Sequence, residues 1–212
     1  MSLFITFEGC EGFGKSTQAG LLHERLKAAG YEVVRTQEPG GTPLGTEISR
    51  ILKWSDQDAI CPLAELMLFN ASRAELVSRI VKPALAAGKI IVCDRYVDST
   101  IVYQGLGRGL SLSTVRAINS IASQGLMPDL TLLLDMPVEK GQARKHMQTA
   151  DRIEREGLGF HRKVHDGYLA LAGEEPSRWL VVDASQTKDR IADIIWEKVK
   201  SLLDARYSAP NR

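Results

Sequence analysis

No excess of charge of either sign marks this sequence: across 212 residues, 27 Lys and Arg stand against 26 Asp and Glu, a formal net charge of +1. That balance argues against a nucleic-acid coat or a polybasic membrane binder, both of which carry a large surplus of one sign. Long apolar runs are missing too. None approaches the roughly 18 residues of a membrane span, so neither a membrane nor a nucleic acid is expected as partner. Cysteine is scarce. Cys10, Cys61 and Cys93 are odd in number and far apart, which suits free thiols in a reducing compartment rather than a disulfide or zinc framework. The N-terminus, Met1-Ser2-Leu3-Phe4, has no basic n-region and no small-residue cleavage site. No signal peptide is therefore expected, and the expected location is cytoplasmic. There is no repeat at a fixed period and no low-complexity tract. What remains is ordinary globular composition, 44% hydrophobic and 25% charged, in a length that suits one domain.

Short apolar runs alternate with longer helical patterns. Leu3 to Phe7, Tyr31 to Thr36, Ile90 to Cys93, Leu130 to Leu134 and Trp179 to Val182 read as strands, several without polar alternation, as expected when both faces are buried. Helical spacing runs over Ser16 to Ala29, Leu63 to Ala87 (bent or interrupted at Pro83) and Lys188 to Leu203. This order predicts an α/β fold: three layers, with a five-stranded parallel sheet flanked by helices. Residues 1–207 would form the single domain, with 208–212 a flexible tail. Ligands of such sheets bind beyond the carboxyl ends of the strands, so chemistry is sought just after Phe7, Thr36, Cys93, Leu134 and Val182.

Gly9 to Ser16 reads GCEGFGKS and matches G-x-x-x-x-G-K-[ST] between a strand and a helix. Glycines there let backbone N–H groups curl around phosphate, and the following helix adds its dipole. Lys15 can reach the β- and γ-phosphates, and the Ser16 hydroxyl can ligate Mg²⁺. Asp94 ends the apolar run Ile90 to Cys93 and is the second metal candidate, with Asp135 a rival at the end of another strand. The pattern predicts a P-loop NTPase fold that binds a nucleoside triphosphate.

A second, phosphate-bearing substrate is also indicated. The guanine motif [NT]-K-x-D of GTPases is absent, since Thr187-Lys188-Asp189 lacks the spacer. Asp94-Arg95-Tyr96 puts an arginine beside the metal candidate. Phe69 and Arg73, four apart on a helical pattern, present an aromatic ring and a guanidinium on one face, which suits a planar base. Thr100, Tyr103 and Gln104 share another face, and Gly105 to Gly109 is expected as a flexible loop.

Over nearly its whole length the chain resembles the bacterial thymidylate (dTMP) kinases. The likeness is carried by FITFEGCEGFGKST at 4–17, EPGGTPLG at 38–45, LMLFNASRAEL at 66–76, CDRYVDSTIVYQG at 93–105, PDLTLLLD at 128–135 and DRIE at 151–154. It implies transfer of the γ-phosphoryl group of ATP to dTMP, giving ADP and dTDP, with Mg²⁺ as cofactor and a homodimer as the assembly. Gly9, Cys10, Glu11, Gly12, Phe13, Gly14, Lys15, Ser16 and Thr17 would cradle ATP. Arg95 would orient the acceptor phosphate, and Asp94 would lie near the metal. Phe69 would stack on thymine, Arg73 and Gln104 would bond its edge, and Thr100 would share that pocket. Tyr103 would lie against the deoxyribose, Glu11 would take its 3′-hydroxyl, and the segment from Glu38 and Pro39 would shape the phosphate pocket.

Gly12 is not basic, so the chain resembles the branch that supplies its mobile arginine from a lid, about residues 144–157. The stretch Arg144 to Lys163 holds six Lys or Arg. Arg152 is the first candidate for the catalytic arginine, Arg155 the second, and Arg144 would lie against adenine. Two departures from the family pattern stand out: Gln37 and Ser49 replace arginines, and Arg50 is one position off. Phe13 is bulkier than the small residue usual there. Alternatives are a P-loop kinase for another nucleoside monophosphate or a deoxynucleoside, and a nucleotide-driven switch protein.

Overall fold

The computed structural model describes residues 2–54, 60–143 and 151–208. The five apolar runs form β1 (Leu3–Glu8), β2 (Val33–Gln37), β3 (Ile90–Asp94), β4 (Leu130–Asp135) and β5 (Trp179–Asp183). They lie side by side in the order β2-β3-β1-β4-β5, all neighbours parallel. Parallel neighbours need long crossovers, and helices supply them. Central β1 is buried at every residue. Leu3, Ile5 and Phe7 join one hydrophobic cluster, while Phe4 joins another with Ile91 and Cys93 of β3. This is the two-residue period of a strand buried on both faces.

The helices are α1 (Lys15–Ala28), α2 (Pro43–Trp54), α3 (Pro62–Leu76), α4 (Lys82–Ala86), α5 (Val97–Thr100), α6 (Leu112–Ser123), α7 (Val138–Ala143), α8 (Leu158–Glu174) and α9 (Lys188–Ser208). The expected three-layer α/β architecture is present. No helix among the described residues is long and apolar enough to cross a membrane.

Several expectations are corrected. β2 starts at Val33 because the N–H groups of Gly30 and Tyr31 donate back to Lys27 and Leu26 and finish the end of α1. The pattern from Leu63 to Ala87 is a nearly continuous rod: α3 passes into a π-helical turn, Val77–Val81, and then α4. The Lys82 N–H donates to the Val77 carbonyl five residues back. The widened turn accommodates Pro83, which has no N–H to offer.

Of the stretch expected as a loop, Gly105 to Gly107 is helical, and only Arg108 and Gly109 lie beyond the helix. α5 runs into a second π-helical segment, Ile101–Gly107, which ends as the Arg108 N–H donates to the Tyr103 carbonyl at 2.9 Å. Gly107 is there for close approach: a Cβ would stand 2.6 Å from the Phe160 ring of α8. Ser208, expected in the tail, closes α9 instead; 209–212 lie outside the described residues. So does the first half of the expected lid, 144–150, with Arg144. The second half reaches only to Gly157, where α8 takes over, so Arg162 and Lys163 belong to that helix.

Candidate active site

The loop between β1 and α1 wraps the start of α1. Gly14 caps the helix in a left-handed conformation, without a side-chain cap and without an acidic residue in the first turn. The first N–H groups and the positive end of the helix dipole therefore face the cleft above, as an anion site requires. Gly12, at φ 78°, leaves no room for a Cβ against the Gly141 carbonyl of α7. The Phe13 ring is buried against Gly141 in the main hydrophobic cluster, which explains the bulky residue: it fastens the loop to α7. Cys10 is buried as well. Of the loop residues expected to cradle phosphate, Gly12, Gly14, Lys15, Ser16 and Thr17 line the cleft, whereas Cys10 and Phe13 turn their side chains into the core.

Lys15 is 5% exposed, and its Nζ donates to the Cys10 carbonyl at 2.9 Å. Burial, and then repulsion from Arg95, lowers its pKa below the usual lysine value. A single charge is thus held in place at the mouth of the loop. The Ser16 hydroxyl lies 2.5 Å from Asp94 Oδ2 at the end of β3, and both line the cleft. A hydroxyl beside one carboxylate suits Mg²⁺, which keeps waters and phosphate oxygens in its shell and needs few protein ligands. The rival Asp135 is engaged elsewhere, its Oδ1 accepting from His165 Nε2 at 2.7 Å.

Arg95 has φ 70°, uncommon for a residue with a side chain. Its N–H donates to the Phe7 carbonyl at 2.9 Å, and this backbone turn aims the guanidinium into the cleft. There it pairs with Glu11, donates to Ser99 Oγ and Tyr168 Oη at 3.2 Å, and lies 5.1 Å above the Tyr103 ring. Beneath sits Glu8, fully buried, accepting from the Tyr96 N–H at 2.8 Å, Ser99 Oγ at 2.6 Å and Tyr168 Oη at 2.8 Å. Burial, with Asp98 nearby, pushes Glu8 up to about 7.

A second cleft adjoins the first. Every residue expected at the acceptor site lines it: Glu11, Glu38 and Pro39 on one side, Phe69 and Arg73 from α3, and Arg95, Thr100, Tyr103 and Gln104 on the far side. Phe69 belongs to neither hydrophobic cluster. Gln104 Nε2 donates to Glu65 Oε1 at 2.7 Å, which leaves its carbonyl oxygen as the group to accept from a ligand.

Arg73 departs from the expectation that it bonds a base edge. Its donors are already taken inside the protein: Nε by Glu38, Nη1 by Asn70 and Asn119, and Nη2 by Glu38, Tyr96 O and Thr100, at 2.7 to 3.1 Å for the closest contact to each. At 1% exposure it braces the wall. Arg152 is also displaced from its expected place: its Nη2 lies 2.5 Å from Glu65 and its Nε donates to the Leu52 carbonyl at 3.1 Å, so it docks its own segment beside the second cleft. Arg155 is exposed. Arg50 pairs with Glu47 on the surface of α2 and does not reach either cleft.

The sequence model of a family described as thymidylate kinase matches residues 7–195. The chain belongs to the thymidylate kinase family. It is 53% identical to a thymidylate kinase of Dehalococcoides mccartyi over 96% of this chain and 98% of that one. It is 48% identical to one of Synechococcus sp. over 98% and 100%. A crystal structure of thymidylate kinase from Ehrlichia chaffeensis superposes with a TM-score of 0.76 at 33% identity, covering 93% of this chain and 98% of that chain. The P-loop NTPase fold is therefore that of the thymidylate kinases.

Four site residues of this thymidylate kinase family member escaped the sequence reading. Glu8 ends an apolar strand just as Asp94 and Asp135 do, and the same strand-end rule could have found it. Lys53 lines both clefts and belongs to no motif; Ser99 lines the base cleft and stands inside the 93–105 motif, next to Thr100. Glu65 gave a weaker signal, one turn before Phe69 on α3. It is 1% exposed and receives Gln104, Arg108 and Arg152. Burial alone would raise its pKa, but the hydrogen bonds from Arg108, Gln104 and Arg152 outweigh it and hold it below the usual carboxylate value.

Proposed function

We infer that the chain transfers the γ-phosphoryl group of ATP to dTMP, giving ADP and dTDP. The observation that carries this reading is the junction of the two clefts, where Glu11, Glu38, Lys53 and Arg95 border both the phosphate loop and the base pocket. Donor and acceptor phosphates meet there in the charged setting that phosphoryl transfer needs.

In this reading the loop N–H groups and Lys15 hold the β- and γ-phosphates. Arg95, braced by Glu11 and the Ser99–Tyr168–Glu8 network, orients the acceptor phosphate. Phe69 stacks on the base. Gln104, its amide turned by Glu65, accepts the ring N–H of thymine, while Arg73 fixes Thr100 and Glu38 in the wall. Tyr103 packs along the sugar, and Glu11 faces its 3′-hydroxyl. Ser16 and Asp94 would hold Mg²⁺, which when bound screens the phosphate charge. The dTMP phosphate oxygen is already nucleophilic at neutral pH, so no general base is assigned. Arg152 contributes charge to the transferring group only after leaving Glu65.

The working unit is one kinase domain, extended by one residue from the expected 1–207 to the end of α9 at Ser208, with a lid at about 144–157. The assembly is a homodimer in the cytoplasm: Leu63 and Met67, one turn apart on α3, are each 49% exposed and suit a partner face. The test is ADP release from ATP and Mg²⁺ with a panel of nucleosides and monophosphates. Stimulation by dTMP above all others is expected. Turnover without an acceptor would overturn the reading in favour of a switch, and stimulation by thymidine rather than dTMP in favour of a nucleoside kinase.

A further inference from the structure

We propose that Lys53 is the ligand of the acceptor phosphate that completes this site, an assignment that rests on the dTMP kinase reading. Four residues, Glu11, Glu38, Lys53 and Arg95, are common to both clefts. Two are acids and two are cations. Glu38 is bound to Arg73 in an ion pair at 2.7 Å, and both are almost fully buried. Glu11 pairs with Arg95. Among the described residues, no hydrogen bond or ion pair holds the Lys53 ammonium; its charge faces Asp151, which lines the same cleft, without the fixed contact that ties Arg95 to Glu11.

The position is built by α2. Lys53 lies in its last turn, and its backbone carbonyl accepts the Arg152 N–H at 3.2 Å, which ties this turn to the lid segment. The other cation of the helix, Arg50, is turned away onto Glu47. The neighbouring positions that could have served are neutral: Gln37 lines the phosphate cleft at the end of β2, and Ser49 stands one turn before Lys53 on the same helix face. A dianionic acceptor phosphate with Arg95 as its only cation would be under-compensated, because Glu11 already shares that guanidinium. A four-carbon stem with a rotatable ammonium is suited to reach it as a point charge.

Binding, measured by calorimetry on the whole protein, separates this role from a structural one. Lys53→Ala should weaken dTMP about 10- to 100-fold, the weight of one charge-assisted contact, while thymidine, which has no phosphate, binds as before. Lys53→Arg should recover most of the loss. Unchanged dTMP affinity in Lys53→Ala, an equal loss for thymidine, or a loss confined to ATP would each overturn the assignment while leaving the dTMP reading standing. Wild-type protein that binds dTMP no better than dGMP would instead overturn the reading itself, and the assignment with it.

Discussion

Glu65 is the side chain whose removal tests the base pocket most sharply. It is buried on α3, and its carboxylate receives Gln104 Nε2 at 2.7 Å, Arg152 Nη2 at 2.5 Å, and Arg108 Nε and Nη2 at 3.2 Å. An ionised carboxylate only accepts, so it fixes which end of the Gln104 amide faces the ligand. In Glu65→Gln the amide can still accept from one arginine, but its NH₂ opposes donors, and Gln104 is released to flip. Breaking a buried pair costs about 3–5 kcal/mol. Here Arg108 and Arg152 are 16% and 19% exposed and regain some hydration, so about 2–3 kcal/mol of stability is expected to be lost, within the range of hydrogen bonds to charged groups. A flipped Gln104 sets donor against donor at the base, and dTMP affinity should fall about 10- to 100-fold, one to two steps of 1.4 kcal/mol. ATP affinity should hold. Urea unfolding gives the first quantity and titration calorimetry the others. Wild-type affinity for dTMP in a folded Glu65→Gln protein would refute the role given to this carboxylate.

Lys15→Ala should lower kcat about a hundredfold or more with the circular dichroism spectrum unchanged; near-native turnover would remove Lys15 from the mechanism. Phe13→Ala empties the packing between the phosphate loop and α7, so unfolding in urea should reveal a loss of about 3–5 kcal/mol, with weaker ATP binding alongside. Glu8 is pushed up to about 7 from an ordinary 4.5, so the folded state holds its proton more tightly than the unfolded chain. Its contribution to stability is complete below pH 4.5, declines as pH rises to about 7, and is level above that. At 1.4 kcal/mol per unit the window spans about 3 kcal/mol. Glu8→Gln should flatten that decline in denaturation measured across pH 4.5 to 7.5; an undiminished slope would place the proton elsewhere. Asp94→Asn should raise the Mg²⁺ concentration needed for half-maximal turnover by about tenfold or more, and an unchanged Mg²⁺ dependence would take Asp94 out of the metal site.

The sheet was legible because buried parallel strands write themselves as uninterrupted apolar runs, and Leu130 to Leu134 or Ile90 to Cys93 can hardly be anything else. The phosphate loop was legible because its glycines and Lys15 have one common use. The pocket residues that lie at helical spacing, Phe69 with Arg73 and Thr100 with Tyr103 and Gln104, came together as expected, because both helical segments keep those side chains on one face. What the sequence hid is partnership. Nothing in the spacing of Arg73 says that its guanidinium is already saturated by Glu38, Asn70, Asn119 and Thr100, which come from four different elements or connections. Nothing near Arg152 says that it docks on Glu65, 87 positions earlier. The glycines at 105 and 107 misled because glycine serves close packing as readily as flexibility, and here π-helical winding against Phe160 decided between them.

The central claim, that two substrates meet across one junction and exchange a phosphoryl group, is tested most directly by following the label of γ-³²P-ATP in the presence of Mg²⁺ and dTMP. The label is predicted to appear in the β-phosphoryl group of dTDP, in step with ADP. Label released as inorganic phosphate, with dTMP unchanged, would contradict the account.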